Sequence, residues 1–304
     1  MNHHQVGVTT VVDAHPRFWC ELVLWVLCAN QHLPNPKRVY FVGKAPAQLE
    51  KFVREAGIDV RQTDALMAHS PHCNKLIPFL DPDGFADQMV TDCDVFATGD
   101  FSRFFHFDKV RLPPNNHGVP PLAVFQEVFA KLGLEPAPEP GLSIFAGGSH
   151  NMETFAGNVS AGVICIPASL RDFAEQWRAQ AEWFADNLDI LGNAKGHVDQ
   201  ISFAVAAARA KVPFSHFPAQ ANAILQLLPY IRSLYALHLT SGHIPKYPQS
   251  FDGQGHLRTD GLPPELHESI LTFNKQVDAA FDVLAEIPET KAFRSNLLNP
   301  DYRR

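Results

Sequence analysis

Apolar residues along the first hundred positions alternate between two periods. Residues 6–12 form a continuous, largely β-branched run that stops at Asp13, the pattern of a strand covered on both faces in a parallel sheet. An amphipathic helix is predicted over residues 17–31, and the short apolar run RVYFVG at 38–43 predicts a second strand. Pro46 then opens a stretch that places Leu49, Phe52, Val53 and Ala56 on one face before Gly57 closes it. A β-like piece at 59–61 and an apolar run at 75–80 lead into QMVTDCDV, whose apolar start and acidic end predict a strand reaching its C-terminal edge. This order of β and α predicts a parallel sheet of nucleotide-binding type.

The texture changes after about residue 110. LPPNNHGVPP and LEPAPEPGL place proline-rich loops on either side of a helix predicted over 122–132, which Gly133 ends. GVICIP at 162–167 predicts a further buried strand, followed by a Ser169-capped helix with Leu170, Phe173, Trp177, Phe184 and Leu188 on its apolar side. An Ala-rich helix is predicted over 199–210. The last long helix, at 264–285, puts Leu266, Ile270, Phe273, Val277, Phe281 and Leu284 on one stripe, with Glu268, Asp278, Asp282 and Glu286 elsewhere. Such acidity suits packing on a core rather than on anionic lipid.

Composition narrows the class. With 25 Lys+Arg against 32 Asp+Glu the formal net charge is −7, which argues against a general polyanion binder and so against a nucleic-acid partner. At 304 residues, 46% hydrophobic and 19% charged, the chain reads as one large globular domain, 1–304, with a nucleotide-binding half to about residue 110 and a second half from about 111. The 5 Cys are odd in number and contain no C-x-x-C pair, so neither a disulfide framework nor a zinc knuckle is expected. No basic segment leads into an apolar run at the N-terminus. The most apolar early stretch, FWCELVLWVLCA, is too short to span a bilayer and carries Glu21. A cytoplasmic protein without a transmembrane segment is expected.

Three constellations carry chemistry. In VTDCDVFATGD, Asp92 and Asp94 lie two apart at the end of a strand-like run, where both carboxylates would face one hard cation while Cys93 points to the other side. Aspartates at the C-terminal edge of a parallel sheet sit where α/β proteins bind ligands. HLTSGHIPKYP offers His238, Gly242, His243 and Lys246: an imidazole that suits manganese, a glycine that admits a phosphate, and a point charge for it. In HVDQISFAVAAA, Asp199 and Gln200 open a helix, a place where Asp also serves the helix dipole.

Together these pieces resemble the GT-A fold glycosyltransferases, particularly the family 8 type of retaining galactosyltransferases and glycogenin-like enzymes. The motifs run in the family's order from about residue 6 to 248. TTVVDAHPRFW is similar to the first strand and turn, which places Asp13 near the nucleotide base and ribose. HCNKLIPFL resembles the segment with a basic donor contact, here Lys75. QMVTDCDVFATGD matches the apolar strand, Asp-x-Asp and following Gly-Asp, at Asp92, Asp94, Gly99 and Asp100. NVSAGVICIP is similar to the Asn-Ala-Gly strand of the sugar pocket, with Ser160 in the usual Asn place and Asn158 two residues earlier. HVDQISFAVA resembles the Asp-Gln that faces the donor sugar. The His-Gly-Lys motif maps onto His238, Gly242 and Lys246, with steps of four and four where the family has three and three.

The resemblance implies a single mixed, mostly parallel α/β domain acting as a metal-dependent hexosyltransferase. Asp92, Asp94 and His238 would hold Mn²⁺ or Mg²⁺, and that ion with Lys75 and Lys246 would stabilise a departing UDP. Asp199 would bind donor hydroxyls, and Gln200 would lie near the anomeric carbon. The donor would be a UDP-hexose, the chemistry retaining, and the acceptor a glycan, lipid or protein. Two other readings stay open: a haloacid-dehalogenase-like phosphatase with Asp92 as nucleophile, since DCDVFAT resembles that motif too, and a non-catalytic sugar-nucleotide binding protein of GT-A type.

Overall fold

The computed structural model describes residues 6–67, 70–115, 119–142, 153–239, 248–252 and 255–291. Its strands are β1 (Gly7–Asp13), β2 (Lys37–Val42), β3 (Asp59–Thr63), β4 (Gln88–Thr91), β5 (Val95–Ala97), β6 (Val110–Leu112), β7 (Pro140–Leu142), β8 (Glu153–Phe155), β9 (Val163–Ile166), β10 (Phe214–His216) and β11 (Ala236–His238). Seven of them order as β10-β6-β9-β4-β1-β2-β3, while β11 pairs with β5 and β7 with β8. β1, β2 and β3 are mutually parallel, as are β6 and β10. β9 runs antiparallel to both β4 and β6, a direction that the apolar run GVICIP does not disclose. The helices are α1 (Pro16–His32), α2 (Ala47–Glu55), α3 (Ile77–Leu80), α4 (Leu122–Lys131), α5 (Asp172–Ala185), α6 (Val198–Ala210) and α7 (His267–Ala285). The architecture is the mixed α/β class that the alternating pattern predicts.

The chain divides into two compact units, each discontinuous in sequence. One comprises Val8–Asp64, Asp92–Phe104 and Pro218–Arg304. Here β1 enters buried and ends at Asp13, and His15 caps the following helix, its Nδ1 accepting from Arg17 N at 3.3 Å with Pro16 in the first turn. The stretch expected to be an amphipathic helix departs from that pattern. From Trp19 to Val26 α1 is buried continuously, Glu21 included, because α7, β5 and α2 surround it on several sides. α7 follows its predicted stripe at Ile270, Phe273, Val277 and Leu284, each of which is buried and contributes about 1.5–3 kcal/mol, but Ala280 is buried where the stripe placed Phe281, which is only half-buried.

The other unit holds Ala65–Thr91 and Phe105–Phe217 with the first residues of the chain. Its core joins Val110, Leu112, Ile164 and Ile166 from the sheet to Phe173 and Trp177 of α5 and Phe203 of α6. Trp177 and Phe203 meet edge to face at 5.0 Å. Ser169 does not cap α5. It lies in a separate 3₁₀ turn, Ala168–Leu170, and its hydroxyl donates to Phe107 O at 3.2 Å. Gly133, with φ 62°, ends α4 in the left-handed conformation that suits glycine.

Candidate functional site

Asp92 and Asp94 do not lie on a strand. β4 ends at Thr91, β5 begins at Val95, and Val95 N donates to Asp92 O at 3.1 Å, so the two aspartates occupy the tight turn between the strands. The turn, rather than an i, i+2 strand geometry, brings the carboxylates together. β11 runs antiparallel to β5 with His238 opposite Val95, and Leu239 N donates to Asp94 O at 3.0 Å. This ladder sets the His238 ring against the turn: Nε2 lies 3.4 Å from Asp94 Oδ1. Ligand atoms of Asp92, Asp94 and His238 all fall within 4.8 Å of one another, with His238 buried.

Two carboxylates held this close and partly shielded from water repel each other, and a cation between them relieves that cost. Two oxygens and one imidazole nitrogen form a donor set that fits a divalent ion of the Mn²⁺ or Mg²⁺ type, with the imidazole favouring manganese.

Behind the turn lies a third carboxyl that the motifs did not reveal. Glu21 of α1 accepts from Arg17 Nε at 3.1 Å and from the Cys93 thiol at 3.6 Å. Burial first, then the negative charge of Asp94, push its carboxyl from an ordinary 4.5 up to about 7. The Cys93 side chain is therefore turned toward Glu21. The sequence signal was a lone acidic residue inside FWCELVLWVLCA, which had weighed only against a membrane span.

The second cluster belongs to the other unit. Lys75, in the 3₁₀ turn Pro71–Leu76, is buried with its Nζ 3.2 Å from Asp199 Oδ2 and donating to Ala161 O at 3.1 Å. Asp199 and Gln200 stand in the first turn of α6, which Trp177 fixes by donating from Nε1 to Asp199 O and Ser202 Oγ, both at 3.0 Å. Gln200 Oε1 accepts from Asn115 Nδ2 at 3.0 Å. Burial shifts the His197 ring below the ordinary imidazole range, toward its neutral form. Asn115 is another residue the motifs missed, since it sits inside a proline-rich loop.

Asp13 ends β1 and its carbonyl accepts from His15 N at 2.7 Å. Ser160 lies just before β9, its backbone N donating to Pro113 O at 2.9 Å. Asn158 is committed to structure: its Nδ2 donates to Thr154 Oγ1 at 2.8 Å and to Val119 O at 3.3 Å. Gly242, His243 and Lys246 lie outside the described residues.

No protein-family profile matches the sequence, and no curated protein matches it. Solved structures do. A galactosyltransferase, LgtC, in complex with donor and acceptor sugar analogues aligns over 90% of this chain and 95% of its own, with a TM-score of 0.53 and 10% identity. An active-site mutant of LgtC aligns with the same coverage at a TM-score of 0.52 and 10% identity. The glycosyltransferase GlyE of Streptococcus pneumoniae TIGR4 covers 99% of this chain and 67% of its own at a TM-score of 0.48 and 12% identity. The LgtC likeness shows the fold: this chain has the GT-A architecture that its motifs resemble. Among the described residues no helix is long and apolar enough to cross a membrane.

Proposed function

We propose that the protein is a metal-dependent, retaining glycosyltransferase that moves a hexose from UDP-hexose to a glycan, lipid or protein acceptor. The observation that carries this reading is the Asp92, Asp94 and His238 cluster within a fold like that of LgtC. A Mn²⁺ or Mg²⁺ ion held there would neutralise the diphosphate leaving group. The chain's own groups then divide the work. Asp13 meets the base and ribose, and Lys75, Gly242 and Lys246 meet the diphosphate side of the donor. Ser160, Asp199 and Gln200 meet the hexose. The buried pair with Lys75 supports retention, because a carboxylate engaged at 3.2 Å by an ammonium is poorly suited to act as the general base that inversion needs. All five cysteines are buried thiols outside any disulfide, which suits the reducing cytoplasm proposed as its compartment.

A thermal-shift screen of UDP-, GDP- and CDP-sugars with and without Mn²⁺ tests the proposal, since a ligand selective for the native state raises its apparent stability. Stabilisation by UDP-hexoses only in the presence of Mn²⁺ is the expected result. Equal stabilisation with and without the metal, or by none of the donors, removes the reading. Magnesium-dependent cleavage of p-nitrophenyl phosphate, lost in Asp92→Asn, points instead to the phosphatase chemistry.

A further inference from the structure

Which way the Gln200 amide is turned follows from a chain of hydrogen bonds that begins at an atom of fixed identity. The oxygen and nitrogen of an amide side chain are distinguished by their partners. Val119 O is a backbone carbonyl and can only accept. Asn115 approaches it at 2.5 Å, so the atom of Asn115 that faces Val119 is the donor Nδ2. The same Nδ2 contacts the Gln200 amide at 3.0 Å, so the atom of Gln200 that faces Asn115 must be the acceptor Oε1. Asn115 is itself buried, and its backbone N donates to Asn158 O at 3.2 Å, which anchors the residue that does the aligning. Reversing either amide would set two donors or two acceptors against each other in a site shielded from water, at a cost that exceeds the worth of an ordinary hydrogen bond.

We propose that Asn115 is a positioning residue that holds the Gln200 oxygen turned toward itself, so that Gln200 meets the donor hexose through its NH₂ group, as a hydrogen-bond donor to a hydroxyl oxygen. That the ligand is a hexose rests on the function proposed above; the orientation of the amide does not. An amide nitrogen has its lone pair delocalised into the carbonyl and is no nucleophile. Gln200 in this orientation binds and orients the sugar without forming a covalent bond to it. Gln200 is half-buried, and its bond to the buried Asn115 orients the amide before any ligand arrives.

The test uses the full chain with Mn²⁺, titrated calorimetrically with UDP, UDP-glucose and UDP-galactose. In the unaltered protein one of the hexose donors binds more tightly than UDP. Asn115→Asp, which cannot donate to Val119 O or to Gln200, is expected to leave UDP affinity within about twofold and to reduce the hexose advantage by roughly five- to tenfold. Gln200→Glu keeps Asn115 and its bond to Val119, so it stays informative if Asn115→Asp folds poorly, and it is expected to show the same loss. The double variant should lose no more than either single one, because both remove one contact. An unchanged hexose advantage in either single variant, or losses that add in the double, overturns the proposal. Binding of UDP with no gain from either hexose overturns the donor role and leaves the metal-dependent reading intact. Absence of any Mn²⁺-dependent UDP binding defeats that reading itself; the amide orientation is then judged by ¹⁵N NMR of the ligand-free protein. There the Gln200 side-chain signals, identified by their loss in Gln200→Glu, should move in Asn115→Asp, and unmoved signals overturn it.

Discussion

The thiol of Cys93, the residue between Asp92 and Asp94, donates to the buried carboxyl of Glu21 at 3.6 Å. Two acidic groups thus meet the same turn: Asp94, which belongs to it and faces His238, and Glu21, which receives the Cys93 thiol. Asp94 helps push the Glu21 carboxyl up to about 7. The charge of the proposed metal ligand Asp94 therefore adds to burial in making Glu21 reluctant to ionise.

A pH dependence of stability follows for the metal-free protein. Glu21 ionises near 4.5 when unfolded and near 7 in the fold, so its contribution is fully present below about pH 4.5 and is lost as pH rises toward 7. Glu21→Gln retains an acceptor for Arg17 and does not titrate. Relative to the unaltered protein it should gain stability from pH 4.5 to 7, levelling off above, by on the order of 3 kcal/mol. Urea midpoints in EDTA across that range measure it. A difference that stays flat with pH shows that Glu21 is not held neutral. Mn²⁺ should narrow the gap, because a cation on Asp94 cancels part of the charge that opposes Glu21.

Asp94→Ala removes one of the proposed ligands from a turn, not from a packed core, so far-ultraviolet circular dichroism should be unchanged. Mn²⁺-dependent UDP affinity should fall by more than about a hundredfold, beyond the roughly ten- to hundredfold loss typical for a group that merely supports a metal ligand. His238→Ala should act in the same direction, whereas His243→Ala serves as the internal control. Retained metal-dependent affinity in a folded Asp94→Ala protein would falsify the site.

Much of this was legible in the order of apolar runs, and the limits have physical causes. The strands β1 and β2 and the stripe of α7 were readable because their periodicity is set by burial on known faces. The continuous burial of α1 was not, since it depends on partners distant in the chain. Glu21 acquires its meaning only from Cys93, 72 positions away, and Asn115 only from Gln200, 85 positions away. Asp92 and Asp94 were identified by residue type although their local conformation was misjudged: a Thr91-to-Val95 turn and a strand end share the same acidic signature.

Trp177 links the core of its unit to the first turn of α6. Trp177→Phe removes the donor to Asp199 O and Ser202 Oγ. Ser202 Oγ still donates to Asp199 O at 3.1 Å, which limits the damage to one lost partner and a small cavity. A loss of about 1–3 kcal/mol in urea unfolding is expected. A neutral result would mean that the indole is not what holds the start of α6.

The pair formed by Lys75 and Asp199 separates structural from binding roles most sharply. Both side chains are buried, 9% and 6% exposed, and their charged atoms lie 3.2 Å apart. Two ions removed from water are stable there only together, because the desolvation of each is offset chiefly by the other. Lys75→Met strands the Asp199 carboxylate and also leaves Ala161 O without its 3.1 Å donor. Asp199→Leu in turn strands the ammonium. Each single substitution should cost about 3–5 kcal/mol. The double variant places two apolar side chains where two charges stood, and should recover most of that loss. Urea unfolding of the four proteins gives the coupling energy directly. Single losses below about 1 kcal/mol, the range of solvent-exposed pairs, would show that water reaches the site and that the ion pair does not organise it. If the double variant is restored in stability yet loses Mn²⁺-dependent UDP-hexose binding, the charges are retained for the ligand rather than for the fold.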